Sequence, residues 1–299
     1  MQIGIIGAGK VGCSMGKYMK EHGLPVVGFF SRSARSSEEA GTFTGTERFE
    51  DLKSMVTACD VLCIATPDDA IGEVWEEIQR ISGEFPETCS LEHKVLCHFS
   101  GSLSSVVFSG IDSTGASGCS VHPMSAFSDK FTSYRQLNSV IFTLEGQNEA
   151  CSVMSEILSA LGNPVLKIKP ESKIRYHCSA SLVSNFIIGL YQMGLDLLGE
   201  CGIGVEDGKR LFRPLVEQNV KKMLENGPAA ALSGPIERGD GGTVGKHLAA
   251  LDAEDRELYR LLGKKVLAVA ERKNPNRNYE NIEEILQESG VEKTRQMEV

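Results

Sequence analysis

Short apolar runs alternate with longer amphipathic stretches through the first half of the chain. Apolar runs of four to six residues between turn residues are typical of buried strands, and apolar positions at helical spacing predict the helices between them. This alternation predicts a doubly wound α/β sheet of parallel strands. The predicted strands are 3–6, 25–30, 60–65, 94–99, 139–144 and 164–168, and the predicted helices are 11–22, 69–81 and 149–161.

The pattern changes near residue 169, after which every apolar repeat has helical spacing. The predicted helices are 171–201, 205–226, 243–250 and 255–272, followed by a polar tail with a short helix near 282–286. The sequence therefore predicts an α/β domain over residues 1–168 and an all-helical domain over residues 169–299.

Residues 176–195 contain no charged side chain, and twenty such residues are long enough to cross a bilayer. The run includes His177, Asn185, Gln192 and several serines, and polar groups at this density are costly in hydrocarbon. We therefore expect a buried core helix and no membrane partner.

Composition excludes several classes of protein. Of the 299 residues, 41% are apolar and 24% are charged, which is ordinary for a soluble domain and argues against a disordered or fibrous chain. The formal net charge of −9 argues against non-specific nucleic-acid binding. Nine scattered cysteines and a strand-like start favour the cytoplasm over export. One Cys-x-x-His spacing, Cys119 to His122, lacks a second pair, so no metal site is predicted.

A glycine-rich turn follows the first predicted strand and precedes the first predicted helix. This is the context in which G-x-G-x-x-G binds a dinucleotide, because its glycines allow a tight turn, a close approach to pyrophosphate and close helix packing. The helix N-terminus then offers free N–H groups to the anion. The predicted pyrophosphate-binding residues are Gly7, Ala8, Gly9, Lys10, Val11 and Gly12.

The end of the second predicted strand indicates which cofactor is bound. NAD sites usually carry a carboxylate there, whereas this chain has Ser31, Arg32 and Ser33, then Arg35, with no acid before Glu38. Hydroxyl and guanidinium groups suit a 2′-phosphate, so the sequence favours NADP over NAD. The alternative is that both arginines are simply solvated.

Two further loops follow predicted strands, at the edge where such sheets bind ligands. Thr66 and Pro67 should lie near the middle of the cofactor, and Ser100 should lie nearer the nicotinamide. The alternative for the hydroxyl residues is ordinary helix capping.

Polar residues recur at four-residue steps along the long predicted helix 171–201, at Lys173, His177, Ser181 and Asn185. Successive steps drift by only about 40° around a helix, so these residues predict one polar stripe among apolar faces. Such a stripe suits a substrate cleft, although hydrogen bonds between packed helices would explain it too.

Two loop residues complete the candidate site. His122 precedes a proline that fixes a turn, and Arg238 lies in a Gly- and Pro-rich connection over residues 233–243. Each has a purely structural alternative, because glycine and proline shape loops without any ligand.

Taken together, the motifs resemble a family with a Rossmann-like domain and a helical domain of unknown function, DUF2520. The matching segments are 7–12, 60–71, 100–102, 121–124, 176–185 and 233–240. Members of this family are described as NADP oxidoreductases. More distantly, the chain is similar to ketopantoate reductase, pyrroline-5-carboxylate reductase, the deazaflavin-dependent NADP reductases and the β-hydroxyacid dehydrogenases.

The resemblance implies a Rossmann-type sheet followed by an all-helical, 6-phosphogluconate-dehydrogenase-like domain that forms a homodimer, with substrate bound between domains. It implies hydride transfer between NADPH and a small carbonyl or imine substrate. Either Lys173 or His177 would donate the proton, with His177 favoured because histidine is the side chain most often used as a general acid near neutral pH. Asn185 would orient the substrate, His122 and Ser100 would line the nicotinamide side, and Arg238 would pair with a substrate carboxylate. The alternatives are a non-catalytic NADP-binding sensor and a reductase linked to deazaflavin.

Overall fold

A mostly parallel eight-stranded sheet forms the first half of the protein. The computed structural model describes residues 1–287. The strands are β1 (Ile3–Ile6), β2 (Val26–Phe30), β3 (Glu47–Arg48), β4 (Val61–Ile64), β5 (Val95–His98), β6 (Ser117–Pro123), β7 (Phe142–Gly146) and β8 (Val165–Lys167).

The strands are ordered β3-β2-β1-β4-β5-β6-β7-β8. All neighbours run parallel except β6 and β7, which are antiparallel. The predicted Rossmann-type sheet is confirmed, with this one antiparallel pair as a difference. The chain order reverses between β1 and β4, which is where sheets of this type bind ligands.

Thirteen α-helices are present in the described residues. Seven of them begin before residue 190, and six follow. They are α1 (Lys10–Glu21), α2 (Ala34–Thr44), α3 (Leu52–Ala58), α4 (Asp68–Glu84), α5 (Asn148–Ala160), α6 (Lys173–Val183), α7 (Asn185–Glu200), α8 (Val205–Asn226), α9 (Pro228–Ala231), α10 (Pro235–Arg238), α11 (Gly241–Ala250), α12 (Ala253–Lys273) and α13 (Glu280–Gln287).

The predicted strands and most predicted helices are present within a few residues, because short apolar runs mark the strands and regular apolar spacing marks the helices. The strands and α-helices that the pattern missed are α2, β3, α3, β6, α9 and α10. Helix α2 is mostly polar, β3 has only two residues, and β6 mixes serine and histidine into a buried strand. His122 therefore lies within a strand and not in a turn after it.

The chain divides into two compact units, Met1–Ile188 and a second that begins at Gly189. In the first unit, two apolar clusters pack on opposite faces of the sheet, one around Phe29 and Phe142 and the other around Trp75. Helix α6 belongs to this unit. The predicted change at residue 169 coincides with the end of the last strand, and the domain boundary placed there stays a prediction.

The second unit has its own core, in which Tyr279, Ile282 and Leu286 pack with Val244 and Leu267. The Gly- and Pro-rich connection over residues 233–243 is partly helical. It contains the short helix α10, and Asp240 then caps α11 by accepting hydrogen bonds from the Thr243 N–H and hydroxyl group at 3.0 and 2.7 Å. After residue 169, the described residues contain only helices and the turns that connect them.

The predicted single helix over 171–201 is wrong in one respect. It is divided at Ser184 into α6 and α7, and most of its apolar side chains are exposed in the single chain. By length and composition, Pro170–Glu200 is the one helical stretch among the described residues that could cross a membrane. Only 6% of its most apolar 18-residue segment is buried. The prediction of a buried core helix is therefore wrong for this chain taken alone. The pattern of apolar residues is the same for a helix that packs within its own chain and for one that is covered by a partner molecule.

Candidate functional site

The glycine-rich turn forms the floor of an open cleft of about 250 Å³. Gly7 has a φ of +108°, and a Cβ atom there would lie 2.6 Å from the Ala65 carbonyl oxygen. A Cβ atom at Gly12 would collide with the Gly7 carbonyl oxygen. At Gly9, by contrast, no described atom lies within 4 Å of the Cβ position. Two glycines are therefore needed for packing, and the third leaves open space above the turn.

The cleft is suited to an anion. Helix α1 starts at its edge, Gly9 caps the helix without a side chain, and the first turn contains no acidic residue. Its N–H groups and the positive end of its dipole therefore remain available. Thr66 also lines the cleft, and its hydroxyl is buried with no partner among the described residues. The N–H groups, the hydroxyl and the open space above Gly9 fit the pyrophosphate and ribose of a dinucleotide.

Polar residues at the end of β2 border the same cleft. Ser31 and Arg32 line it, and Arg32 forms no ion pair within residues 1–287. Ser33 caps α2, accepting a hydrogen bond from the Ser36 N–H at 3.3 Å. Arg35 is bound to Glu39 at 3.1 Å, and this contact helps hold the pKa of Glu39 below its usual value. The structure therefore leaves Arg32 as the available guanidinium.

The turn after β5 is held by a carboxylate. Asp68 accepts hydrogen bonds from the Ser100 and Ser102 hydroxyl groups at 2.8 and 2.6 Å. The Ser100 oxygen in turn accepts from the Leu103 N–H at 2.9 Å. The Ser100 hydroxyl group therefore already donates its hydrogen bond to Asp68, and its role in this structure is to hold the turn. Asp68 directly follows Thr66 and Pro67, so one short segment connects the cofactor cleft to the turn.

Two histidines meet at Gly101. A Cβ atom on Gly101 would collide with His177 Nδ1 and lie 2.8 Å from His122 Nε2. His122 Nδ1 lies 2.8 Å from the Tyr176 hydroxyl group. Burial, with Lys173 and His177 nearby, lowers the pKa of His122 to about 4, so this ring is neutral at pH 7. His177 Nδ1 is buried without a partner among the described residues.

Lys173 lies near His122 and is only 1% exposed. Its ammonium group donates to Ser120 Oγ at 2.5 Å, and Ser120 Oγ is 3.5 Å from the Ser100 carbonyl oxygen. Burial lowers the pKa of Lys173 to about 8, although Glu145 and Asp68 oppose the shift. The side chain is therefore a cation at neutral pH that is close to losing its proton.

The structure thus brings four of the predicted catalytic residues together in the first unit: Ser100, His122, Lys173 and His177. Asn185 is not among them. It follows the break at Ser184, which interrupts the predicted stripe, and its exposed amide oxygen accepts from the Ser184 hydroxyl group at 2.9 Å. Arg238 lies in the second unit, where it ends α10 and is exposed.

Sequence reasoning missed the residues that support the cluster. These are Asp68, Gly101, Ser120, Glu145 and Tyr176. Two of them had a usable signal. Asp68 begins a helix at a ligand-binding edge, and Glu145 is an acid within the apolar strand β7. A charge in such a strand needs a partner.

Two family models match the chain. Residues 1–80 match the oxidoreductase family with an NAD-binding Rossmann fold, and residues 140–266 match the domain of unknown function DUF2520. No curated protein matches the chain.

Solved structures share the fold over nearly the whole chain. Protein TM1727 from Thermotoga maritima has a TM-score of 0.71 and 22% identity, covering 91% of this chain and 99% of its own. BF3122 from Bacteroides fragilis, provisionally named an NADP oxidoreductase, has a TM-score of 0.64 and 22% identity, covering 89% and 98%. The imine reductase from Myxococcus stipitatus, in complex with NADP⁺, has a TM-score of 0.60 and 15% identity, covering 92% and 94%.

These matches bear out the resemblance that the motifs suggested. The chain joins an NAD-binding Rossmann segment of the oxidoreductase family to a DUF2520 segment, and it is an oxidoreductase.

Proposed function

We propose that this protein transfers a hydride between NADPH and a small carbonyl or imine compound. The observation that carries the proposal is the position of Asp68. The residues just before it line the cleft at the glycine-rich turn, and its carboxylate holds the turn that contacts His122 and His177. Strands β1, β4, β5 and β6 all end at this edge, so a cofactor in the cleft would extend towards the histidine cluster.

NADP rather than NAD is part of this proposal. Arg32 is exposed at the end of β2, lines the cleft and has no ion-pair partner in the described residues. A guanidinium group in this place suits a 2′-phosphate, with which it can form two parallel hydrogen bonds.

Replacing Arg32 should therefore change the cofactor preference. We expect Arg32→Ala to weaken NADPH binding by about tenfold and to leave NADH binding within about twofold, because one charge-assisted contact is worth about 1.5 kcal/mol or more. Titration of both cofactors by fluorescence measures the effect. Arg35→Ala is the matched control, since Glu39 already binds Arg35. Equal losses for both cofactors, or equal effects of the two variants, would contradict the proposal.

The proton would come from Lys173. A donor works best when its pKa is near the working pH, and the pKa of this ammonium group is about 8. His122 is neutral at pH 7 and would serve as a hydrogen-bonding group. His177, with an unpartnered ring nitrogen beside Gly101, would orient the substrate. Roles for Asn185 and Arg238 stay predictions from the sequence.

A turnover screen tests the proposed reaction. NADPH oxidation should be followed with panels of aldehydes, ketones and cyclic imines, and the reverse reaction with alcohols and amines. Turnover with at least one of these classes is expected. Tight NADPH binding with no turnover in any panel would instead favour a redox sensor, and turnover only with a deazaflavin would favour the linked reductase.

A homodimer and a cytoplasmic location also belong to this proposal. Val183, Phe186 and Ile188, which are close together in sequence on α6 and α7, are 71%, 58% and 71% exposed in the single chain, and clustered exposure of large apolar side chains is rare in monomers. Light scattering without detergent should give twice the chain mass of 32.4 kDa. A monomer, or a particle that needs detergent, would overturn the dimer. All nine cysteines are free, which suits a reducing compartment.

A further inference from the structure

Glu145 is a buried carboxylate that the proposed reaction does not yet use. It lies in β7 and is 2% exposed. Ser105 provides two donors, its N–H to one carboxylate oxygen and its hydroxyl group to the other, both at 2.8 Å. A carboxylate taken this far out of water is costly unless a positive charge compensates it.

The strand register places that positive charge nearby. Glu145 is paired directly with Ser120 across the antiparallel strands β6 and β7, so both side chains point to the same face of the sheet. Residues paired in this way have Cβ atoms about 5 Å apart. The Lys173 ammonium group donates to the Ser120 hydroxyl oxygen. Glu145 and Lys173 are thus both neighbours of a single, fully buried serine.

We propose that Glu145 is the buried counter-ion of Lys173 and holds it as the ammonium ion that the proposed reduction requires. Glu145 acts through Lys173 and does not touch substrate, so it is a positioning residue. The inference deepens the proposed function and rests on the role given there to Lys173.

The other ionisable groups around Lys173 do not replace Glu145. His98 on β5 and His122 on β6 have pKa values lowered to about 4 by burial, so both are neutral at pH 7. Tyr176 on α6 is neutral as well, because burial raises its pKa. His177, on the same helix, and the Cys119 thiol on β6 also face this region.

Asp68 is the other carboxylate near Lys173, but it is exposed and accepts hydrogen bonds from two serines. Water screens an exposed charge more than a buried one. Among the groups that favour the charged form of Lys173, Glu145 has the largest effect and Asp68 a smaller one.

An NMR titration measures the effect without a substrate. The protein is labelled with ¹³C at the lysine Cε atoms, and the Lys173 resonance is the one missing from Lys173→Met. In the wild type it should titrate near pH 8. In Glu145→Gln, which keeps the size of the side chain, the midpoint should fall by about 1 pH unit, as is typical for loss of a nearby opposite charge.

Ser105→Ala is the matched control. It removes one hydrogen bond to Glu145 but keeps the carboxylate, so the midpoint should stay within about 0.3 pH unit of the wild type. An unchanged midpoint in Glu145→Gln, or an equal shift in Ser105→Ala, would overturn the counter-ion. Asp68→Asn should shift the midpoint less than Glu145→Gln, and a larger shift would assign the role to Asp68. Because the titration needs no turnover, its outcome is independent of whether the proposed reaction is correct.

Stability gives a second test if Glu145→Gln folds poorly. Removing the carboxylate alone leaves a buried ammonium group without compensation, whereas the double variant Glu145→Gln/Lys173→Met removes both charges. The double variant should therefore unfold at a higher urea concentration than Glu145→Gln. If the two single losses simply add, the residues do not interact and the proposal fails.

Discussion

Lys173→Met should lower turnover by about 100-fold or more, while NADPH affinity stays within about threefold. General acid catalysis contributes about 100- to 10,000-fold, and methionine fills similar space without a proton to donate. Cofactor affinity should survive because Lys173 does not line the cleft at the glycine-rich turn. Steady-state kinetics with a substrate found by the screen, together with an NADPH titration, measures both quantities.

The assignment of Lys173 as the proton donor also predicts how turnover depends on pH. The pKa of Lys173 is lowered to about 8, so the ammonium form is present below that pH and is lost above it. The turnover of the wild type in the reductive direction should therefore fall as pH rises through about 8. Glu145→Gln should move this decline to lower pH.

Two variants control for the location and identity of the donor. Lys169→Met removes an exposed lysine four residues earlier and should leave turnover unchanged. His177→Gln should lower turnover less than Lys173→Met, because we assign His177 to orientation. If Lys173→Met stays active and His177→Gln is inactive with normal NADPH affinity, the donor is His177, as the sequence first favoured.

Gly9→Asp should weaken NADPH binding by more than about 100-fold without unfolding the protein. No described atom lies within 4 Å of the Cβ position at Gly9, so the carboxylate would extend into open space above the turn. That space is where the pyrophosphate is expected, and a like charge placed against it costs several kcal/mol. Fluorescence titration measures binding, and thermal unfolding checks the fold.

Gly83→Asp is the matched control, since Gly83 also has an unoccupied Cβ position and lies near the end of α4. It should bind NADPH like the wild type. Gly12→Ala should behave differently from Gly9→Asp, because its Cβ atom would collide with the Gly7 carbonyl oxygen and destabilise the turn itself. Normal NADPH binding by a folded Gly9→Asp protein would show that the cleft is not the phosphate site.

The cofactor end of the site was predictable because its signals are local. A tight turn, a helix N-terminus and the end of the next strand all lie within residues 7–32, and each depends on residue types that are adjacent in sequence. Arg32 and Thr66 could be placed in the same way, since parallel strands end at one edge. The alternation of apolar runs likewise determined the sheet and the change to helices after residue 169.

The substrate end of the site was less predictable because its contacts join distant residues. Lys173 meets Ser120 across 53 positions, and Asp68 holds Ser100 across 32. Neither contact has a spacing that a pattern of residues could reveal. For the same reason, the sequence predicted a site role for Ser100 and none for Glu145, whereas the contacts in the structure draw attention to Glu145. The Ser100 hydroxyl group is bound to Asp68, and Glu145, which the sequence did not single out, is paired with Ser120, the serine that Lys173 contacts.

The sequence by itself determined the Rossmann-type sheet, the glycine-rich cleft and the side chains at its edge. These features depend on the period of the apolar positions, on turn residues and on the order of strands along the chain, all of which are set by residues that are near one another in sequence. Only the tertiary structure decided that Glu145 is paired with Ser120, that two histidines meet at Gly101, and that the predicted helix 171–201 is largely exposed and divided at Ser184. Strand register and burial depend on which distant segments pack together, and the free energy of that packing is shared among many residues.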